Sequence, residues 1–124
     1  MNSLSVLVVD DSLIMRKKIS RMVTELGHKV VATAENGKEA IKQCENIALD
    51  LITMDITMPD MNGIEATRRI LAEKPNTLII MVTSLGQESM VMEAINAGAK
   101  GYILKPIKQE KFSSLLHNVI EHYI

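Results

Sequence analysis

Five short apolar runs punctuate the chain: Ser5–Val9, Lys29–Thr33, Leu51–Met54, Leu78–Val82 and Gly101–Leu104. Several are nearly continuous in Val, Ile, Leu and Met rather than alternating with polar residues, the pattern of parallel strands covered on both faces. Their starts fall roughly 24 residues apart, about what one strand, one helix and two short connections require. The intervening stretches carry helix signals. Asn36 with Glu39, and Asn62 with Glu65, have the spacing of capping pairs ahead of helical segments. Gly27 and Gly98 stand where left-handed C-terminal caps belong. Near the end, Phe112, Leu115, Leu116, Val119, Ile120 and Tyr123 recur at helical spacing. Five strands alternating with five helices predict an open α/β sandwich with right-handed crossovers, and the pattern alone leaves the strand order open.

The polar residues that close these runs carry the chemistry. The first run ends in Asp10-Asp11, the third in Asp55, the fourth in Thr83-Ser84 and the fifth in Lys105-Pro106. Only the second is followed directly by an apolar residue, Ala34, and it is therefore expected at a sheet edge. In parallel α/β sheets, ligands bind at the carboxyl ends of the strands, where the strand order reverses. The remaining four strands thus deliver three aspartates, a threonine and a lysine to one polar site.

Composition narrows the function classes. The 124 residues carry 14 Lys and Arg against 15 Asp and Glu, for a net charge of -1. That balance lacks the basic footprint of a nucleic-acid binder, and 2% aromatic residues leave little for bases to stack on. No apolar run approaches the ~20 residues of a membrane span. A single cysteine, Cys44, excludes an internal disulfide framework and fits a reducing, cytoplasmic setting. The length suits one domain over residues 1–124. Nine methionines, with one Phe, two Tyr and no Trp, point to an aliphatic, adaptable core.

Three crowded carboxylates repel one another and raise one another's pKa values. A hard divalent cation relieves this, and Mg2+ favours a small number of carboxylates completed by water. Lys105 adds a fixed positive charge and Thr83 a hydroxyl donor. A cation, an ammonium and a hydroxyl around one carboxylate suit phosphoryl transfer, in which the equatorial oxygens are neutralised and a nucleophile attacks in line. Asp10 and Asp11 sit together and suit metal binding, which leaves Asp55 as the nucleophile that becomes an aspartyl phosphate.

These motifs, VLVVDDS (Val6–Ser12), MDITMPDMNGIEA (Met54–Ala66), MVTS (Met81–Ser84) and GAKGYILKP (Gly98–Pro106), resemble the receiver domain of two-component response regulators, most nearly its stand-alone chemotaxis type. The resemblance runs from Val6 to about Ile120. It implies a flavodoxin-like three-layer sandwich with a five-stranded parallel sheet of order 2-1-3-4-5. It also implies that a histidine kinase (CheA-like) phosphorylates Asp55, while Asp10, Asp11, Asp55 and the backbone carbonyl of Thr57 hold Mg2+. Lys105 would pair with the phosphoryl group, and the Lys105-Pro106 bond would be cis. Thr83 would move toward the phosphate, and Tyr102 would follow as the switch aromatic. Thr57 stands where the family varies and the phosphate lifetime is tuned. By position, Val91, Ile95, Tyr102, Leu104 and Leu115 would form an output face for a flagellar motor switch protein (FliM-like). The resemblance implies a monomeric signalling protein, not an enzyme with a separate substrate. Within the class, the rival is a relay intermediate that passes phosphate to a histidine phosphotransfer protein.

Plainer roles compete at several positions. Asp10 and Asp11 could cap the first helix, Thr83 and Ser84 the fourth, and Tyr102 could be core. His28, His117 and His122 lack metal-ligand spacing and are expected at the surface. In the fourth helical stretch Met90, Val91, Met92, Ala94, Ile95 and Ala97 exceed a single stripe, leaving either a wide core contact or an exposed patch for a partner. A haloacid-dehalogenase-like phosphatase also uses an aspartyl phosphate, but it wants an acid two residues after the nucleophile, where Thr57 stands. A flavodoxin-like cofactor module would need a phosphate-binding loop after Val9, and none is present.

Overall fold

The computed structural model describes residues 3–124. The elements alternate strictly: β1 Ser5–Val9, α1 Leu13–Glu25, β2 Lys29–Ala34, α2 Gly37–Asn46, β3 Leu51–Met54, α3 Gly63–Glu73, β4 Leu78–Thr83, α4 Glu88–Asn96, β5 Gly101–Leu104 and α5 Gln109–Tyr123. All five strands pair in parallel in the order β2-β1-β3-β4-β5, the flavodoxin-like arrangement. Every residue of β3 and β4 is buried, which is why those runs read as unbroken apolar sequence. Edge strand β2 instead alternates between exposed and half-buried positions until Ala34.

The sheet separates two apolar layers. Val6, Val8, Leu51, Ile80, Val82 and Ile103 pack under Ile19 and Val23 of α1 and Phe112, Leu116 and Val119 of α5. On the other face, Leu7, Val9, Ile52, Met54, Ile79 and Met81 meet Ala40 and Cys44 of α2, Ile64 and Ile70 of α3, and Ala94 of α4. Phe112, the only phenylalanine, is fully buried. Burying such a side chain contributes about 1.5–3 kcal/mol. Tyr123 departs from the apolar stripe expected of the last helix: it is 47% exposed, its ring lying beside Lys100 and His122 at the chain end.

Asn36 and Asn62 do cap α2 and α3, their Oδ1 atoms accepting from the amides of Glu39 and Glu65. Glu65 turns to Arg68 and Arg69 instead of reaching back to the cap. Gly27 and Gly98 have φ of 91° and 114°, the left-handed conformation that ends a helix without a Cβ penalty. The expected cap at α4 is not formed. The helix starts at Glu88, past Thr83 and Ser84, so Gln87 occupies that position and makes no side-chain bond, while the Thr83 hydroxyl accepts the amide of Leu85. His28 is also not a surface residue. It is 7% exposed, and its Nδ1 accepts the Leu4 amide at 3.1 Å, tying the start of β1 to the start of β2.

Candidate functional site

The carboxyl ends of β1, β3, β4 and β5 converge where the sheet order reverses. Asp10, Asp11 and Asp55 each offer a carboxylate oxygen within 4.8 Å of the others. Three hard oxygen donors at this spacing fit one divalent cation better than they tolerate one another bare. Asp10 is fully buried and Asp55 5% exposed, whereas Asp11 faces solvent. The site therefore has a closed floor and an open mouth.

Asp10 is held at every polar atom. Its amide donates to Ala34 at the end of β2, Oδ1 accepts the Ser12 amide at 2.9 Å, and Oδ2 accepts Lys105 Nζ at 2.9 Å. Its backbone carbonyl accepts Arg16 Nη1 at 2.7 Å. Helix α1 is capped by Ser12, whose hydroxyl takes the Met15 amide, so the aspartates are free of that duty.

Asp55 follows the last residue of β3, its amide continuing the ladder to Val9. Burial pushes its pKa above the usual carboxylate range, and the charges of Asp10 and Asp11 push the same way, against the pull of Lys105 and the Ile56 amide. Lys105 Nζ lies 3.5 Å from Asp55 Oδ2 and spans both buried carboxylates. Burial alone lowers the Lys105 pKa, but the hydrogen bond to Asp10 and the Asp55 charge outweigh it and hold the ammonium above its ordinary value. Lys105 follows directly on β5, which brings its side chain to the same sheet edge as Asp10 and Asp55. The Lys105-Pro106 bond is cis.

Thr83 is fully buried at the end of β4, with its hydroxyl on the Leu85 amide at 3.3 Å rather than on Asp55. Tyr102 is half-buried and donates its hydroxyl to the Leu85 carbonyl at 2.6 Å. The two side chains therefore hold the backbone of one residue in the β4–α4 loop from both ends, Leu85 through its N–H and through its C=O. Thr57 is exposed in the loop after Asp55. Gly63 presses that loop shut: its amide donates to the Ile56 carbonyl, and a methyl group at Gly63 would collide with the Asp55 carbonyl oxygen.

Away from the cluster, Ile95 and Leu104 are 42% and 48% exposed, Met92 is 52% exposed, and Val91, Tyr102 and Leu115 are half-buried. The crowded apolar sequence of α4 thus divides. Ala94 enters the core, Met90 and Ala97 pack partly against it, and the rest form an outward apolar surface. Arg16 is the site residue that sequence reasoning passed over. Its signal is a basic side chain near the positive end of a helix, where the dipole disfavours it unless something holds it. Leu85 had no such signal, because it takes part only through its backbone.

Residues 6–117 match the response regulator receiver domain, and the chain belongs to that family of two-component signalling proteins. Within the family its relatives include chemotaxis proteins. It is 43% identical to the chemotaxis protein CheY of Thermotoga maritima over 114 residues, covering 92% of this chain and 95% of that one. It is 41% identical to CheY of Bacillus subtilis over 115 residues, covering 93% and 96%. Among solved structures, the CheX-CheY-BeF3-Mg+2 complex of Borrelia burgdorferi superposes with a TM-score of 0.91 at 34% identity, covering 94% of this chain and 89% of that one.

Proposed function

We propose that the chain is a phosphorylation-switched signalling protein of chemotaxis, with Asp55 as phosphoacceptor. The observation that carries this reading is the convergence of Asp10, Asp11 and Asp55 within 4.8 Å beneath the Lys105 ammonium. Asp10, Asp11 and Asp55, with the Thr57 carbonyl, would hold Mg2+, which neutralises charge on the phosphoryl oxygens when bound. An Asp55 carboxylate oxygen attacks phosphorus in line. The P–N bond of a kinase phosphohistidine breaks, and the imidazole leaves with its electron pair and is protonated. Lys105 offsets the charge gained at Asp55. Water attack on the same phosphorus later releases inorganic phosphate and restores the carboxylate.

Output follows from the Leu85 peptide. When the Thr83 hydroxyl turns to donate to a phosphoryl oxygen, the Leu85 amide loses its acceptor and the β4–α4 loop is freed to move. Tyr102, bound to the Leu85 carbonyl, moves with it. The face of Val91, Ile95, Tyr102, Leu104 and Leu115 then changes shape for a protein partner. Similarity to CheY proteins supports a CheA-like histidine kinase as donor, a FliM-like motor switch protein as target, a cytoplasmic location and a monomeric state. The test is incubation with Mg2+ and acetyl phosphate, followed by intact mass and a phosphate-retarding gel. One phosphoryl adduct is expected, absent without Mg2+ and absent in Asp55→Asn. An adduct that persists in that variant removes Asp55 from the role.

A further inference from the structure

Among the described residues the exposed carboxylate of the cluster, Asp11, has no hydrogen-bond partner, and its aim is set by a residue outside the cluster. We propose that Arg16 is a positioning residue for the divalent site, fixing the Asp10–Asp11 peptide so that Asp11 points at the cation. The inference deepens the phosphoryl-transfer reading and rests on it.

The guanidinium lies over the turn between β1 and α1. Nη1 donates to the Asp10 carbonyl at 2.7 Å, and Nη2 stands 4.0 Å from Glu35 Oε2 just beyond β2. The Arg16 side chain is 15% exposed, and Asp10 is fully buried. That carbonyl therefore depends on Arg16 for its partner, and a buried carbonyl left alone costs about 1–3 kcal/mol. The strain is relieved by rotating the peptide plane toward water. Asp11 begins at the other end of that plane, so rotation swings its carboxylate away from Asp10 and Asp55. Asp10 itself stays anchored by Ser12 and Lys105. The first turn of α1 holds no acidic residue of its own, so the guanidinium is held from outside the helix, by the Asp10 carbonyl and by Glu35.

Two effects of Arg16 on a bound dication oppose each other, which makes the direction of change informative. As a bare charge, Arg16 repels a nearby cation, and its removal tightens binding. As the clamp on the peptide, it favours binding, and its removal weakens it. Outer groups that orient metal ligands typically change affinity by about 10- to 100-fold.

The experiment is calorimetric titration of Mg2+ into the full chain, without phosphodonor, for the parent, Arg16→Met and Arg16→Lys, with metal-free melting curves alongside. We expect Arg16→Met to weaken Mg2+ binding about tenfold. Arg16→Lys, which keeps the charge and one donor, should fall between it and the parent. Equal or tighter binding in Arg16→Met overturns the assignment, as does a lowered melting temperature with unchanged affinity. If Arg16→Met does not fold, parent-like affinity in Arg16→Lys with its shorter reach overturns it. A parent that binds no Mg2+ overturns the metal reading and this inference with it, which separates that failure from failure of the clamp alone.

Discussion

At the scale of single residues, the cluster of aspartates and lysine was legible in the sequence because chemistry restricts the residue types at strand ends. Aspartate at two strand ends and lysine at a third have few other reasons to be there. Arg16 and His28 were not legible, since each acts on a backbone group that leaves no mark in the residue pattern. His28 serves Leu4, 24 positions away. Its Nδ1 accepts a hydrogen bond only when unprotonated, and burial lowers its pKa below the ordinary histidine value. The folded pKa lies under the unfolded one, so this contribution is complete above about pH 6.5 and is lost as pH falls through the folded pKa. Urea unfolding from pH 7.5 down to 5 should show that loss, and His28→Gln, which keeps an acceptor but does not titrate, should flatten it. An identical slope in the variant assigns the loss elsewhere. Thr53 presents the reverse case. It sits between Val8 and Ile80 in the ladder, fully buried, with no partner for its hydroxyl. Thr53→Val keeps the shape and removes the unpaired group. It should gain about 1 kcal/mol, roughly 4 °C in Tm, by differential scanning calorimetry.

At the scale of elements, strand boundaries were read to within a residue, most plainly for β3 and β4, where burial on both faces leaves so strong a pattern. The fourth helix was the exception. Its apolar excess held two faces at once, a small-residue contact through Ala94 and an outward surface through Met92 and Ile95. Its start is also the least secured, with Gln87 making no cap bond while Thr83 and Tyr102 hold the preceding loop through Leu85. That arrangement suits the proposed switch, in which the helix shifts when Thr83 changes partner. Gln87→Asp supplies both a cap acceptor and a favourable dipole charge. It should raise stability by about 1 kcal/mol. Amide exchange should slow in the first turn of α4 and not in α1. Equal protection in both helices means a global effect rather than a cap.

At the scale of the whole molecule, one strand serves two surfaces, and that allows them to be separated by mutation. Ile103 of β5 packs into the α1 and α5 layer, and Lys105, just past the strand, reaches Asp10 and Asp55. Tyr102 and Leu104 turn the other way, toward the β4–α4 loop and solvent. Pleating therefore sets Tyr102 and Leu104 of the proposed partner face on the side of β5 away from Ile103, while Leu115 joins that face from α5. Leu104 is 48% exposed and approaches the chain at Gly86, so truncating it removes little core packing. An apolar anchor at the centre of an interface is nevertheless worth more than about 1 kcal/mol to a partner. Leu104→Ser should thus leave Tm within a degree or two and leave the acetyl phosphate reaction of Asp55 unchanged. Binding of the phosphorylated protein to a flagellar motor switch protein should weaken about fivefold or more, read by calorimetry at fixed Mg2+. Unchanged binding would move the partner to another face. A parallel fall in Asp55 modification would show that the two sides of β5 are not independent, and the switch would then have to run through the strand itself rather than through the Leu85 peptide.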